Sequence, residues 1–256
     1  MARTDPARGY LSRDQKEEIA ELAEAVLDEH HPGAGPVDPQ SIIRAKGLRL
    51  VFGHYCEAFD GLLRHRRGKF TVFCNLARVE TKRSPRARFV LSHELGHFFI
   101  SNHRNALRSG LAPHHPSFCE YESKLFVEQQ ADCFASNLLL PRARFFTEAR
   151  RKGAAGGMKT ILDLARQFGT SVTATAIRYA SLGVSPCIVI KWNHDRYGWK
   201  WLSEDAFAAW YRKTIEDKAS VIGGSATANA FAGGKLPIEG FFKQATTAAY
   251  WFPFVD

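Results

Sequence analysis

The chain contains no long hydrophobic run. Nowhere in its 256 residues does an apolar stretch approach the ~20 residues that a membrane-spanning helix needs. Its N-terminus, Met-Ala-Arg-Thr-Asp-Pro-Ala-Arg, also lacks the apolar core of a secretory signal. Because both features are missing, we expect a cytoplasmic protein without a membrane-spanning segment.

Cysteine is sparse and unpatterned. The chain has five cysteines, none of them in a C-x-x-C pair: Cys56, Cys74, Cys119, Cys133 and Cys187. An odd number of scattered thiols is typical of a reduced protein rather than of a disulfide framework or a cysteine-based zinc site. We expect Cys133, which lies in a helical segment, to belong to the core and not to a metal site.

Positive charge is in excess, but it is not arranged as in a typical nucleic-acid surface. The formal net charge is +9, with basic clusters at residues 64–69, 82–88 and 142–152. No cluster is interleaved with aromatic residues that could stack on bases. Two interpretations of the basic clusters are therefore possible: solvated basic faces, or a true affinity for DNA.

The hydrophobic content of 45% is ample for a packed core.

The most informative motif is His93-Glu94-Leu95-Gly96-His97. On a helix, residues four apart lie on one face, so the two imidazoles can converge on a single metal ion. A glutamate next to the first histidine then lies where it can accept a proton from the attacking water. The alternative is two structural histidines on an ordinary helix.

The surroundings of the motif favour a helix. Ser84 and Pro85 form a typical helix start, as N-cap and first helical residue. Leu91, Leu95 and Phe98 follow at helical spacing and predict an apolar stripe beside the motif. Gly96 costs a helix up to about 1 kcal/mol relative to alanine, so we expect another backbone to approach closely there.

A catalytic zinc site needs a third protein ligand. The segment Glu128-Gln-Gln-Ala-Asp132 opens a second predicted helix, which Pro141 ends. We predict that Glu128 is the third ligand and that Asp132 accepts a hydrogen bond from a ligand histidine. Small residues at Ala131 and Ala135 would let the two helices approach closely. The alternative is a solvated acidic helix start, which the helix dipole also favours.

Taken together, these segments resemble the ImmA/IrrE-type metallopeptidases. The likeness rests on the His-Glu-Leu-Gly-His motif and on Glu128 to Pro141, which follows E-x-x-A-x-x-F-A-x-x-L-L-x-P. The glutamate-then-aspartate pair is also similar to the gluzincin group. Shorter stretches upstream agree: Val37-Asp38-Pro39, Gly47-Leu48 and Phe59-Asp60-Gly61-Leu62. The resemblance covers roughly residues 16–183.

The resemblance implies both a fold and a function. It implies an α+β fold with a minimal zincin-like core, followed by a helix-turn-helix and a small β-containing C-terminal region. It also implies a metal-dependent endopeptidase that makes a site-specific cut in a helix-turn-helix repressor, releasing a stress-response or mobile-element programme. Zinc is the default metal for two imidazoles and a carboxylate, and the ligand types also permit manganese or iron. Two alternatives are a DNA-binding regulator with a structural metal site and a module that binds a repressor without cutting it.

The sequence divides into four predicted parts. Residues 1–15 form a flexible tail, 16–152 a peptidase domain, 153–183 a helix-turn-helix segment and 184–256 an α/β extension of unknown role. Within the peptidase domain, we predict helices at 16–30 and 40–46, then strands at 48–52, 61–65 and 70–75. The last two strands flank a turn at 66–69 and predict a hairpin. We expect the edge of this sheet to line the cleft and to bind the substrate backbone by strand addition.

Two further sets of residues are candidates for function. Residues 101–120 read as a loop, and four nearby side chains could steady a developing oxyanion: His103, His114, His115 and Tyr121. In the helix-turn-helix, the second helix would offer Thr173, Thr175 and Arg178 to DNA. Three such residues are few for base reading, so a packing or docking role for this helix is the alternative.

In the C-terminal part, we predict strands at 187–192 and 199–202 and a helix at 205–218. We also expect the apolar segment at 248–252 to pack against the rest of the protein.

Overall fold

The computed structural model describes residues 11–31, 33, 35–111, 117–118, 125–153, 156–193, 196–206, 223 and 225–232. The chain divides into two compact units. One comprises residues 1–142 together with 166–171, and the other comprises 143–165 and 172–256. Several predictions lie outside the described residues: the extreme N-terminus, Cys119, His114, His115, Tyr121, most of the 205–218 helix and the 248–252 segment.

The first unit opens with two helices. Helix α1 spans Arg13–His30 and begins at a capping box in which Ser12 and Gln15 hydrogen-bond reciprocally. The helix therefore starts three residues before the predicted position, and it buries one apolar face formed by Ile19, Ala23, Val26 and Leu27. Helix α2 spans Pro39–Ala45, with Asp38 as its N-cap.

A three-stranded sheet follows, with strands β1 at Arg49–Gly53, β2 at Gly61–Arg66 and β3 at Lys69–Asn75. The order is β1-β3-β2, so β2 is an edge strand. Strands β2 and β3 pair antiparallel as the predicted hairpin, whereas β1 runs parallel to β3. Arg67 and Gly68 form the hairpin turn, and both have positive φ, as a two-residue type I′ turn requires.

The remaining helices of this unit carry the motif residues. Helix α3 spans Leu76–Val79, α4 Pro85–Phe99, α5 Ser101–Ser109 and α6 Phe126–Leu139. Helix α4 packs against α6 on one side and against β2 and β3 on the other, and α1 covers α6. The prediction of a loop from residue 101 was wrong for 101–109, which form a helix that ends at Gly110 with φ +72°.

In the rest of the chain, α7 spans Arg142–Lys152, α8 Met158–Phe168 and α9 Val172–Ser181. Strands β4 (Ile188–Asn193) and β5 (Arg196–Leu202) form a two-stranded antiparallel sheet, and α10 spans Ala226–Ala232. The fold is thus α+β, as predicted. Among the described residues, no helix is both long and apolar enough to cross a bilayer.

Candidate metal centre

Helix α4 holds the two histidines of the motif in a buried position. The helix starts as the sequence predicted, because the Ser84 hydroxyl accepts a hydrogen bond from the Ala87 amide at 3.1 Å and Pro85 follows the cap. Every residue from Val90 to His97 is buried, since the helix runs between the sheet and α6. His93 and His97 therefore lie inside the protein, next to groups from other elements.

The two histidines meet Glu128 of α6. His93 Nε2 lies 3.1 Å from His97 Nε2 and 3.1 Å from Glu128 Oε2. His97 Nε2 lies 3.2 Å from Glu128 Oε1. Glu128 is only 4% exposed, so the alternative of a solvated acidic helix start is wrong.

These three side chains fit a metal ion. Two ligand atoms about 2.0–2.1 Å from a tetrahedral zinc lie roughly 3.3 Å apart, close to the separations seen between these donors. Two imidazole nitrogens and a carboxylate form a set that zinc accepts, and such a set leaves a fourth position for water or substrate. Within the described part of the chain, this trio is the group of side chains that could hold a metal ion.

Each histidine has a partner for its other ring nitrogen. His93 Nδ1 lies 2.8 Å from Asp132 Oδ1, so Asp132 accepts a hydrogen bond from this ring. Burial disfavours the charged form of His93, but Asp132 and Glu128 outweigh this effect and raise its pKa to about 10. The raised pKa favours the doubly protonated ring in the metal-free protein, and a metal ion bound at Nε2 would displace the proton of that nitrogen.

His97 has a different partner, His103, which the sequence predicted to lie in a loop. His97 Nδ1 lies 3.1 Å from His103 Nδ1, and His103 Nε2 lies 2.9 Å from Gln130 Oε1. Burial lowers the pKa of His103 to about 4, so its ring is neutral. If His103 donates its single N–H to Gln130, its Nδ1 accepts from His97, whose Nε2 keeps a lone pair for a metal ion. With both ring nitrogens engaged, His103 is not available as the oxyanion donor considered above.

Glu94 is fully buried beside this cluster and lies against the start of β2. A Cβ added at Gly61 would lie 2.6 Å from both Glu94 Oε1 and Val90 Cγ1, so only glycine leaves room for the carboxylate here. Asp60 fixes this point of the strand, since its buried carboxylate accepts hydrogen bonds from Arg78 at 2.7 Å and Arg86 at 2.8 Å.

The two metal-site helices touch at Gly96. A Cβ added there would lie 3.0 Å from Ala131 Cα and 3.2 Å from Ala131 O. The close approach predicted from the glycine and the small residues of α6 is therefore present. It brings the histidines of α4 within reach of Glu128.

Other predicted side chains are less available than the sequence indicated. Thr175 of α9 is fully buried, so it cannot face DNA, whereas Thr173 is exposed and Arg178 half-buried. Cys133 lies outside the metal cluster and is half-buried rather than in the core. None of the four cysteines in the described ranges forms a disulfide.

Part of the chain matches a known protein family. Residues 75–180 match the Peptidase_M78 family model, described as the IrrE N-terminal-like domain. The matched range includes both histidines, Glu94 and Glu128. The resemblance to the ImmA/IrrE-type family is therefore confirmed, and the family indicates a metallopeptidase. No curated protein matches the chain.

The fold also resembles a solved structure, that of a Mycobacterium tuberculosis transcriptional regulator. The TM-score is 0.52 at 12% sequence identity, and the likeness covers 89% of this chain. The chain spans 64% of the length of that regulator. At this identity the likeness concerns the fold alone.

Proposed function

We propose that the protein is a metal-dependent endopeptidase. The observation that carries the proposal is the convergence of His93, His97 and Glu128 on one point, with the buried Glu94 carboxylate beside them. We assign His93, His97 and Glu128 as metal ligands, with Asp132 orienting His93. Zinc is the preferred occupant, and manganese or iron are the alternatives for these ligand types.

A metal ion at this position would polarise the scissile carbonyl and lower the pKa of water towards about 7. Glu94 supplies the proton transfers. Its carboxylate accepts a proton from the attacking water as the water oxygen bonds to the carbonyl carbon. The same carboxyl then gives this proton to the amide nitrogen as the C–N bond breaks, so that a free amine and a carboxylic acid leave.

The outer edge of β2 is the proposed track for the substrate backbone. Gly61 directs its N–H and C=O outward to Ser117, at 3.4 and 3.1 Å. Because outward-facing residues alternate along a strand, Leu63 and His65 direct their backbone groups to the same side. Ser117 is the pairing partner found at this edge within the described ranges. A peptide can therefore add as a strand beyond Gly61.

The proposed substrate is a helix-turn-helix repressor cut at one site, which would release a stress-response or mobile-element programme. The family likeness supports this proposal, as does the location of the site between the edge strand β2 and the buried helix α4. A cytoplasmic location follows from the same proposal, since the repressor would be found there. The zincin-like core at 16–152, the helix-turn-helix at 153–183 and the extension at 184–256 remain proposed divisions.

The second candidate is a DNA-binding regulator with a structural metal site. The likeness of fold to a transcriptional regulator and the net charge of +9 favour it. However, a structural metal site has no use for a buried glutamate at position 94. In addition, Thr175 is buried, so α9 has few side chains that could contact bases. We therefore prefer the peptidase.

The test compares the wild-type protein with Glu94→Gln. Both are loaded with zinc and incubated with the repressor encoded by a neighbouring gene, and cleavage is followed on gels. We expect the variant to keep its metal and fold but to cleave 10²- to 10⁴-fold more slowly, roughly the range for loss of a general base. Near-normal cleavage by a variant with full metal content would refute the mechanism.

A further inference from the structure

A cavity of about 180 Å³ opens directly beside the candidate metal centre. Glu94 and His97 form part of its wall, so the cavity is continuous with the site of the proposed chemistry. Most of the remaining wall comes from aliphatic side chains of three elements, namely Leu63 of β2, Ala106 and Leu107 of α5, and Val127 of α6.

The wall of this cavity is predominantly apolar. One reason is that nearby polar groups are engaged elsewhere. His103 also borders the cavity, but its two ring nitrogens contact His97 and Gln130, which leaves ring carbons for the cavity. A cavity of about 150 Å³ lined by apolar groups is large enough for benzene. The present one can thus hold a side chain of the size of leucine or phenylalanine.

We propose that this cavity binds an apolar side chain of the substrate residue next to the scissile bond. The inference rests on the proposed peptidase function and adds the class of residue that the enzyme selects. The position follows from the walls, because a side chain between Leu63 of the edge strand and Glu94 belongs to a residue within one or two positions of the bond that reacts.

The surroundings of the cavity support an apolar occupant. Val127 is 37% exposed, and the two residues that precede it at the start of α6, Leu125 and Phe126, are exposed as well. Val127 belongs both to this exposed group and to the cavity wall. Exposed apolar surface next to a cleft is typical of a binding site.

Ala106 is the residue best placed to set the size of the accepted side chain. It has the smallest side chain among the aliphatic residues of the wall, and it is half-buried on α5. A larger side chain there would fill the space that the substrate needs. Asn105, its neighbour on the same helix, is exposed and not part of the wall, so it offers a matched control.

The test uses binding of small chelating probes to the zinc-loaded protein, and therefore does not depend on turnover. The probes are the hydroxamates of leucine, phenylalanine, alanine, lysine and aspartate, with affinities measured by calorimetry. We expect the leucine or phenylalanine probe to bind at least about tenfold more tightly than the alanine probe, since even one or two buried methylenes give discrimination of this order. Tightest binding of the lysine or aspartate probe would overturn the proposal.

Variants then connect the preference to the cavity. Ala106→Leu should reduce the leucine-to-alanine ratio to near parity and leave the alanine probe unaffected, whereas Asn105→Leu should keep the wild-type ratio. Should Ala106→Leu fail to fold, Val127→Phe, at a position that is 37% exposed, fills the same space from the rim. An unchanged ratio in a folded, zinc-loaded cavity variant would contradict the proposal.

The two proposals fail separately. A zinc-loaded protein that shows the apolar preference but cleaves no peptide supports the cavity and refutes the peptidase. Conversely, a protein that cleaves its substrate but binds all five probes equally is a peptidase whose cavity does not select apolar residues.

Discussion

At the scale of single residues, the two histidines of the candidate metal centre differ in the groups that accept their hydrogen bonds. A carboxylate accepts from His93, whereas a neutral imidazole accepts from His97. A charged acceptor makes the stronger hydrogen bond and the more basic ligand. His93 is therefore the more firmly oriented of the two rings, and His97 depends on the uncharged chain through His103 to Gln130.

The ligand assignment can be tested by removing one carboxylate at a time. Glu128→Ala should lose most of the bound metal, because it removes a ligand atom. Asp132→Ala should weaken metal binding by only about 10- to 100-fold, because it removes the group that orients a ligand. Metal content under competition with a chelator measures both. Stoichiometric metal in Glu128→Ala would mean that the third ligand lies elsewhere.

His103 offers a second prediction. His103→Phe keeps an aromatic ring in the space but removes the acceptor for His97 Nδ1. We expect metal affinity to fall about 10- to 100-fold, the range for loss of a group that supports a ligand. His54→Ala, at an exposed position, is the control for nonspecific binding by surface histidines. Equal metal affinity in all three proteins would show that the contact does not orient His97.

At the scale of elements, the metal site depends on how closely α4 and α6 approach. Gly96→Val would place a branched side chain against the backbone of Ala131, which cannot move without shifting α6. We expect the free energy of unfolding to fall by about 1–3 kcal/mol, as for other overpacked cores. Metal affinity should fall as well, because Glu128 lies on the displaced helix. Denaturant unfolding and metal competition measure the two effects.

The control for this variant is Ala25→Val on the exposed side of α1, which isolates the cost of a β-branched residue in a helix. That cost is at most about 0.7 kcal/mol. An effect of Gly96→Val no larger than the control would contradict the role given to the helix contact.

The elements also show what local sequence patterns can predict. Helix α4, its serine cap and the β2–β3 hairpin are encoded in neighbouring residues, and they were predicted closely. Helix α5 was missed because its sequence, rich in serine, asparagine and arginine, lacks a continuous apolar stripe. Only Gly110 marked its end. The parallel pairing of β1 with β3 joins segments that are distant in sequence, so no local pattern contains it.

The same limit applies to the site. The spacing of His93 and His97 and the acidic pair on α6 predicted which side chains meet, because helical periodicity places each pair on one face. The contact of His97 with His103 depends on the turn between α4 and α5 at Ile100, and the contact of Glu94 with Gly61 depends on where the hairpin packs. Neither is visible before the elements are assembled.

At the scale of the whole molecule, metal should stabilise the fold, since its ligands come from two different helices. A ligand that binds only the folded state adds about 2.7 kcal/mol at a concentration 100 times its Kd. We therefore expect chelator-treated protein to unfold at a lower temperature and added zinc to restore the original value. An identical Tm with and without zinc would contradict a buried site that bridges α4 and α6.

The breadth of cleavage is a further property of the whole molecule. If the substrate must lie along β2 and fill an apolar cavity, an unstructured general substrate such as casein should be cut slowly or not at all. The cognate repressor should be cut at one site, with a chelator blocking the reaction and added metal restoring it. Gels and mass spectrometry measure the digestion of both substrates. Rapid digestion of casein would refute the proposal of a specific substrate but not the proposal that the protein is a metallopeptidase.

The bridge between Ser117 and Gly61 has one more consequence. It occupies the outward backbone groups of Gly61, and within the described ranges no residue pairs with the outward groups of Leu63, two residues further on. Anything that pairs there can shift only in steps of two residues if its hydrogen bonds are to be kept, and a shift of one turns every side chain to the opposite face. Ser117 and the edge of β2 together thus fix the register of a bound strand. In that register, alternate residues of the bound strand face the cavity and the residues between them face away.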